Sequence, residues 1–190
     1  MSSNIQHSAG SGDYGTPHWI VDIAHEVLGG IDVDLASDKF HNQTVKAFRF
    51  FTSSGSPFDH PEAFIKGDLR NIFCNPPGSC DREFDGTFSD CLNKVRCTCR
   101  LAKRFFNFAT MRVIVQSVPL FWVGFNLNQL RTLHWPRGSA VCVLNKRVEY
   151  LVNGIPAKAP SHDSFLALVG GPKDKFYDLT RKYGQRMEVL

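Results

Sequence analysis

Ile72-Phe73-Cys74-Asn75-Pro76-Pro77-Gly78 is the stretch around which the chain is organised. A short apolar run, Asn71 to Cys74, reads as a buried strand, and the prolines that follow it deny the strand further ladder donors. Each proline also drives its predecessor out of helical geometry, so Asn75 and Pro76 are extended. The product is a stiff corner at the carboxyl end of a strand. It fixes the Asn75 amide and the Asn75 and Pro76 carbonyls in one cluster. Such an arrangement buries no apolar surface, which points to chemistry rather than packing.

The surroundings limit the kind of protein that carries this corner. With 190 residues, 43% of them hydrophobic, the chain can close one globular domain around a substantial core. It has no apolar run of membrane-spanning length. Met1 to Gly12 is polar and rich in Ser and Gly, unlike a leader peptide, and is expected to be a disordered tail ahead of a domain spanning 13–190. Six cysteines without paired spacing fit reduced thiols in a cytoplasmic protein. The net charge of +4 conceals an asymmetry. Residues 1–90 carry 6 Lys/Arg against 13 Asp/Glu, whereas residues 91–190 carry 16 against 5. A basic second half predicts a polyanionic partner there, with a solvated basic surface as the plain alternative.

From Asp13-Tyr14-Gly15-Thr16-Pro17 the chain enters a helical pattern. Ile20, Ile23, Ala24, Val27 and Leu28 form one apolar stripe, Thr16 suits the N-cap, Pro17 the first helical position, and Gly29-Gly30 the stop. In Ile31-Asp32-Val33-Asp34-Leu35-Ala36-Ser37, alternation sets the apolar side chains on one side and the two acids on the other, as in a short strand. A carboxylate at the end of the first strand of an α/β sheet is placed to meet a cofactor's polar groups. No GxGxxG is present, so a dinucleotide or P-loop reading finds no support. Ala47 to Thr52 reads as a further strand, Ser53 to Pro61 as a loop, and Gly67-Asp68-Leu69 as a turn.

The corner resembles the (Asp/Asn)-Pro-Pro-aromatic motif of S-adenosyl-L-methionine-dependent methyltransferases that act on exocyclic amines. The joint order Thr16-Pro17, helix, Asp32 to Ser37, Phe50-Phe51-Thr52, Gly67-Asp68-Leu69 and Asn75-Pro76-Pro77 is similar to the small phage-type DNA adenine methyltransferases. The resemblance covers most of residues 13–170. It implies an α/β fold, a single Rossmann-like class I methyltransferase domain with a mixed, mostly parallel sheet and an antiparallel edge hairpin. It further implies a catalytic corner of Asn75, Pro76, Pro77 and Gly78, where Gly78 stands in place of the family's base-stacking aromatic. Thr16, Pro17, Asp32, Asp34, Ala36, Ser37, Phe51, Asp68 and Leu69 would line the S-adenosyl-L-methionine site, with Asp68 reaching the cofactor's adenine amine. The implied partner is double-stranded DNA with a flipped adenine, in the cytoplasm, or the host cytoplasm of a phage-encoded enzyme; a homodimer stays open. Gly78 opens space where the base would stack, so either the substrate is bulkier or another aromatic, Phe73, Phe84 or Trp122, substitutes. Otherwise the protein modifies another amine, or binds nucleic acid without catalysis.

The remaining chain reads as a polar loop over 79–87, a helix over about 88–109, and a strand from Arg112 to Leu120 ended by its proline. An aromatic stretch with Phe121, Trp122 and Phe125 follows, then a short helix or turn between Asn126 and Trp135. Ala140 to Leu144 and Val148 to Val152 are β-rich, with Asn145-Lys146-Arg147 as a possible tight turn; Arg147-x-x-Tyr150 also resembles a basic strand start of the phage family. Asn153-Gly154 is the strongest turn signal. Ile155 to His162 reads as a loop, Ser164 to Val169 as the last strand, and Lys173 to Tyr183 as a closing helix. No metal is expected. Cys97 and Cys99, two residues apart on a helix, point about 200° from each other, and no CxxC pair occurs. His134 and His162 read as solvated loop residues, and adjacent Ser161-His162-Asp163 lacks the convergence of a hydrolase triad.

Overall fold

The computed structural model describes residues 14–52, 70–76, 101–152, 154–156 and 163–190. Seven short strands make one sheet in the order β2-β1-β3-β4-β8-β5-β9, and β6 and β7 pair separately. The members are β1 (Val33–Asp34), β2 (Arg49–Phe50), β3 (Ile72–Cys74), β4 (Leu120–Gly124), β5 (Ala140–Leu144), β6 (Leu151–Val152), β7 (Ile155–Pro156), β8 (Phe165–Val169) and β9 (Gly184–Glu188). The helices are α1 (His18–Leu28), α2 (Asn42–Val45), α3 (Leu101–Gln116), α4 (Asn128–Thr132) and α5 (Lys173–Thr180). The β2-β1-β3-β4 half is parallel, while β8 and β9 run against their neighbours. The architecture is thus α/β with a mixed sheet, as expected. Antiparallel pairing occupies a whole half of that sheet rather than one edge pair.

Alternation along the central strands divides the core into two layers. Phe73, Phe121, Val123, Cys142, Leu166 and Leu168 pack with α1, α2 and Phe176 of α5. Ile72, Cys74, Leu120, Trp122, Phe165 and Ala167 pack with Phe105, Phe106 and Ala109 of α3. With both faces covered, β3, β4 and β8 are buried at every position and read as continuous apolar runs.

Three expectations are corrected. The helix ending near 109 and the strand over Arg112 to Leu120 give way to one helix running to Gln116 and a strand that begins at Leu120. Val113-Ile114-Val115 has strand-like composition, yet it continues a helix whose Phe105, Phe106 and Ala109 bury against the sheet. Ser117 (φ 55°) breaks that helix, and Pro119 precedes the strand, where its carbonyl accepts from Ile72 N at 2.9 Å. Secondly, Asn145 to Arg147 does not join two paired strands: β5 lies between β8 and β9, and of Val148 to Val152 only Leu151–Val152 is strand. Thirdly, the closing helix stops at Thr180 and the chain returns as β9, whose side chains are mostly exposed and show no alternation. This strand is held by its ladder with β5, and Gly184 is demanded there because a Cβ would stand 2.0 Å from the Val143 carbonyl oxygen.

Of the turn expected at Asn153-Gly154, Asn153 lies outside the described residues; Val152 pairs with Ile155, and Gly154 has φ 78°. The stop at Gly29 is also as read, a left-handed cap donating to the His25 carbonyl. The tail at 1–12, the 79–87 loop and the first part of the predicted 88–109 helix lie outside the described residues. Among the described residues no helix is long and apolar enough to cross a membrane.

Candidate active site at the carboxyl edge of β1 and β3

After β1 the chain turns towards β2 on one side, and after β3 it crosses to β4 on the other. The carboxyl ends of β1 and β3 therefore flank a topological switch point, the place where open α/β sheets bind ligands. Asp34 ends β1 and Asn75 follows β3 directly.

Asn75 is tied on arrival. Its Nδ2 donates to Thr16 Oγ1 at 3.0 Å, across 59 positions of sequence. Thr16 is buried, 4% exposed, and its hydroxyl makes no helix cap: the N-cap position of α1 is Pro17, without a side-chain cap bond. The residue expected to cap the helix instead orients the amide. That bond uses one of the two N–H donors of the amide and holds the Asn75 side chain at the end of β3. Pro76 beside it is buried.

Asp34 is 2% exposed. Its Oδ1 accepts from Ala36 N at 3.1 Å, and it has no cation beside it among the groups that set its ionisation. Burial pushes its carboxyl up to about 7, a rise opposed by the hydrogen bond from the Ala36 amide and by the nearby Ser37 hydroxyl, and reinforced by Asp38. A buried carboxyl raised this far, at the carboxyl end of a strand beside a switch point, makes Asp34 a candidate site residue. Ser37 N donates to the Phe51 carbonyl at 2.8 Å and Phe51 N to the Asp34 carbonyl at 3.0 Å, so Ser37 and Phe51 close the same edge. Thr16, Asp34, Ala36, Ser37, Phe51, Asn75 and Pro76 thus converge on one edge, and Pro17 opens the helix beside it.

Asp32 stands apart from that group. Its Oδ2 accepts from the amides of Arg70 and Asn71 at 2.7 and 3.0 Å, pinning the amino end of β3 to that of β1. It lies two residues, about 6.6 Å, back along the strand from Asp34. Asp68, Leu69, Pro77 and Gly78 lie outside the described residues, as does Phe84. Phe73 and Trp122 are fully buried in opposite core layers, so neither offers a ring to a base at that edge.

Two features were missed in the sequence. Asp38 accepts from the amides of Phe40 and His41 at 2.6 and 2.8 Å and pairs with His41 Nδ1 at 2.6 Å, which holds its carboxyl below the usual range despite partial burial. The His41 ring sits so close to Gly15 that a Cβ there would come within 2.6 Å of it. Gly15 in turn exchanges both backbone hydrogen bonds with Leu151, at 2.7 and 2.8 Å, docking β6 over the site. Asp-x-x-His is too common a spacing to have announced this. The second is Tyr150, whose hydroxyl faces Ser164 and is pushed up to about 12 by burial.

Among the described residues no three His, Cys, Asp or Glu side chains gather as a metal site. Exposed Lys175, Arg181, Lys182 and Arg186 lie on α5, its C-terminal end and β9, at the sheet edge four strands and about 19 Å from β3. Comparison with protein-family models, with curated proteins and with solved structures finds no match.

Proposed function

We propose that the protein is an S-adenosyl-L-methionine-dependent methyltransferase acting on the exocyclic amine of adenine in DNA. The observation that carries this reading is the Asn75–Thr16 bond, which holds the amide at the end of β3, beside the topological switch point and the buried carboxyl of Asp34. An aryl amine is a poor nucleophile because its lone pair is delocalised into the ring. Two fixed acceptors, the Asn75 side-chain carbonyl and the Pro76 carbonyl, draw on the amine hydrogens and favour a pyramidal, nucleophilic nitrogen. Held in place beforehand, they act where positive charge develops.

The residues present suit a zwitterionic, sulfonium-bearing ligand. Ionised Asp34 supplies a negative charge in a water-poor place, and the amino end of α1, without a side-chain cap, suits a carboxylate. Pro17, Ala36, Ser37 and Phe51 would complete its walls, with Asp68 and Leu69 as further candidates. S-adenosyl-L-methionine brings a methyl group already activated for transfer. The protein's task is then positioning and exclusion of water rather than strong base catalysis, since a methylated amine surrenders its proton readily. The basic residues on α5 and β9 are of the sign a DNA backbone requires.

The test is nucleoside mass spectrometry of DNA, RNA and protein incubated with the enzyme and methyl-labelled S-adenosyl-L-methionine. Label in N6-methyladenine of DNA supports the proposal; cofactor binding with no label in DNA overturns it. Burial of Phe73 and Trp122 favours a second reading, another amine as substrate, which predicts label in RNA or protein instead.

A further inference from the structure

Gly15 and Leu151 form an antiparallel pair through both of their backbone bonds, which sets Tyr14 opposite Val152 and Thr16 opposite Tyr150. Alternate residues share a face, so Tyr14 and Thr16 stand on one side of this small sheet together with Val152 and Tyr150. Val152 pairs with Ile155 across the hairpin, which extends the same face by one more side chain. Thr16 carries Asn75. The face that holds the amine acceptor therefore continues outward over Tyr14, Val152 and Ile155, which are 48, 37 and 69% exposed. Its back is stiffened: the His41 ring lies against Gly15. Three apolar side chains are thus left exposed on the face that carries the Thr16–Asn75 bond.

We propose that Tyr14, Val152 and Ile155 are a stacking platform for an unpaired nucleobase of the substrate strand, next to Asn75. This rests on the methyltransferase reading and supplies the ring that Gly78 lacks. The choice of occupant follows from continuity with an amide carbonyl: a flat heteroaromatic ring bearing an amine can lie on the platform and reach the acceptor together. An aliphatic amine on a flexible stem has no use for a flat apolar face. Exposed Lys39, near the hairpin, and exposed Lys146, on the segment leading into β6, have the charge a phosphate chain requires, with Glu149 the one acid on residues 145–152.

The probe is a single-stranded oligodeoxyadenylate carrying one 2-aminopurine, whose fluorescence is quenched by stacking. The wild type should bind and quench it. Tyr14→Ala combined with Ile155→Ser should weaken binding about tenfold or more and remove the quench. Tyr14→Phe should retain both. Tyr14→Leu keeps apolar bulk against Val152 without a flat ring and should lose the quench with an unchanged melting temperature. Calorimetric affinity for S-adenosyl-L-methionine should be the same in all four proteins. Wild-type protein that neither binds nor quenches the oligonucleotide overturns the platform, as does a double variant that quenches like wild type. Absence of cofactor binding with the quench intact overturns the methyltransferase reading and leaves the platform standing.

Discussion

Asp34→Asn should make the protein more stable and disable it at once. Burial raises the Asp34 carboxyl from 3.8 to about 7. Below pH 4 both folded and unfolded chains carry it neutral, and it contributes no pH dependence. Between about 4 and 7 the unfolded chain has released the proton while the folded chain retains it. Folding takes up a proton in that window, so stability falls as pH rises and levels off above 7. A rise from 3.8 to about 7 corresponds to a penalty of about 4 kcal/mol at pH 8. Asparagine keeps an oxygen for the Ala36 amide, bonded at 3.1 Å in the parent, and removes the charge. Urea unfolding should therefore show Asp34→Asn more stable than wild type by a few kcal/mol at pH 8 and nearly equal at pH 4. A cationic ligand reverses the preference, because it requires the ionised form. Wild-type affinity for S-adenosyl-L-methionine, followed by calorimetry, should weaken by up to tenfold per pH unit below 7, while Asp34→Asn binds weakly at every pH. A variant less stable than wild type at pH 8 would show that the carboxylate serves the fold. A pH-independent affinity in the wild type would remove Asp34 from the cofactor site.

Thr16→Val removes the acceptor of the Asn75 amide bond and lets that amide rotate; methyl transfer at saturating S-adenosyl-L-methionine should fall at least tenfold, read from single-turnover rates. Gly184→Ala places a methyl against the Val143 carbonyl, so the β5–β9 ladder should loosen and stability drop by about 1–3 kcal/mol, measured by urea unfolding. Trp122→Phe should lower stability by loss of core volume and of the 3.4 Å bond to Gln129, yet leave the KM for DNA unchanged, because that ring is fully buried.

The corner at Asn75 was readable because its signal is local. An apolar run stopped by prolines can only be a strand that ends, and Asn75 stands where it ends. Alternation likewise revealed β1, but it treated Asp32 and Asp34 alike, since both share one side of the strand. Only the crossover to β3 shows that Asp34 faces the diverging loops while Asp32 pins backbone at the opposite end. The extent of α3 was obscured by Val113-Ile114-Val115, where intrinsic preference and tertiary burial disagree. The strand β9 gave no signal: Gln185, Arg186, Met187 and Glu188 are exposed, and its place is set by backbone pairing. Thr16 read as a cap by composition, and its partner 59 positions away could not be foreseen. The long-range contacts that build the site are the part that sequence order alone does not encode.

The most direct test compares N6-methyladenine formed in DNA during a single turnover by wild type and by Asn75→Ala, each saturated with S-adenosyl-L-methionine. The wild type should form it, and the variant at least a hundredfold more slowly, because the fixed acceptor is gone while the cofactor is still held. Equal rates in the two proteins, or no N6-methyladenine from the wild type, would contradict the account.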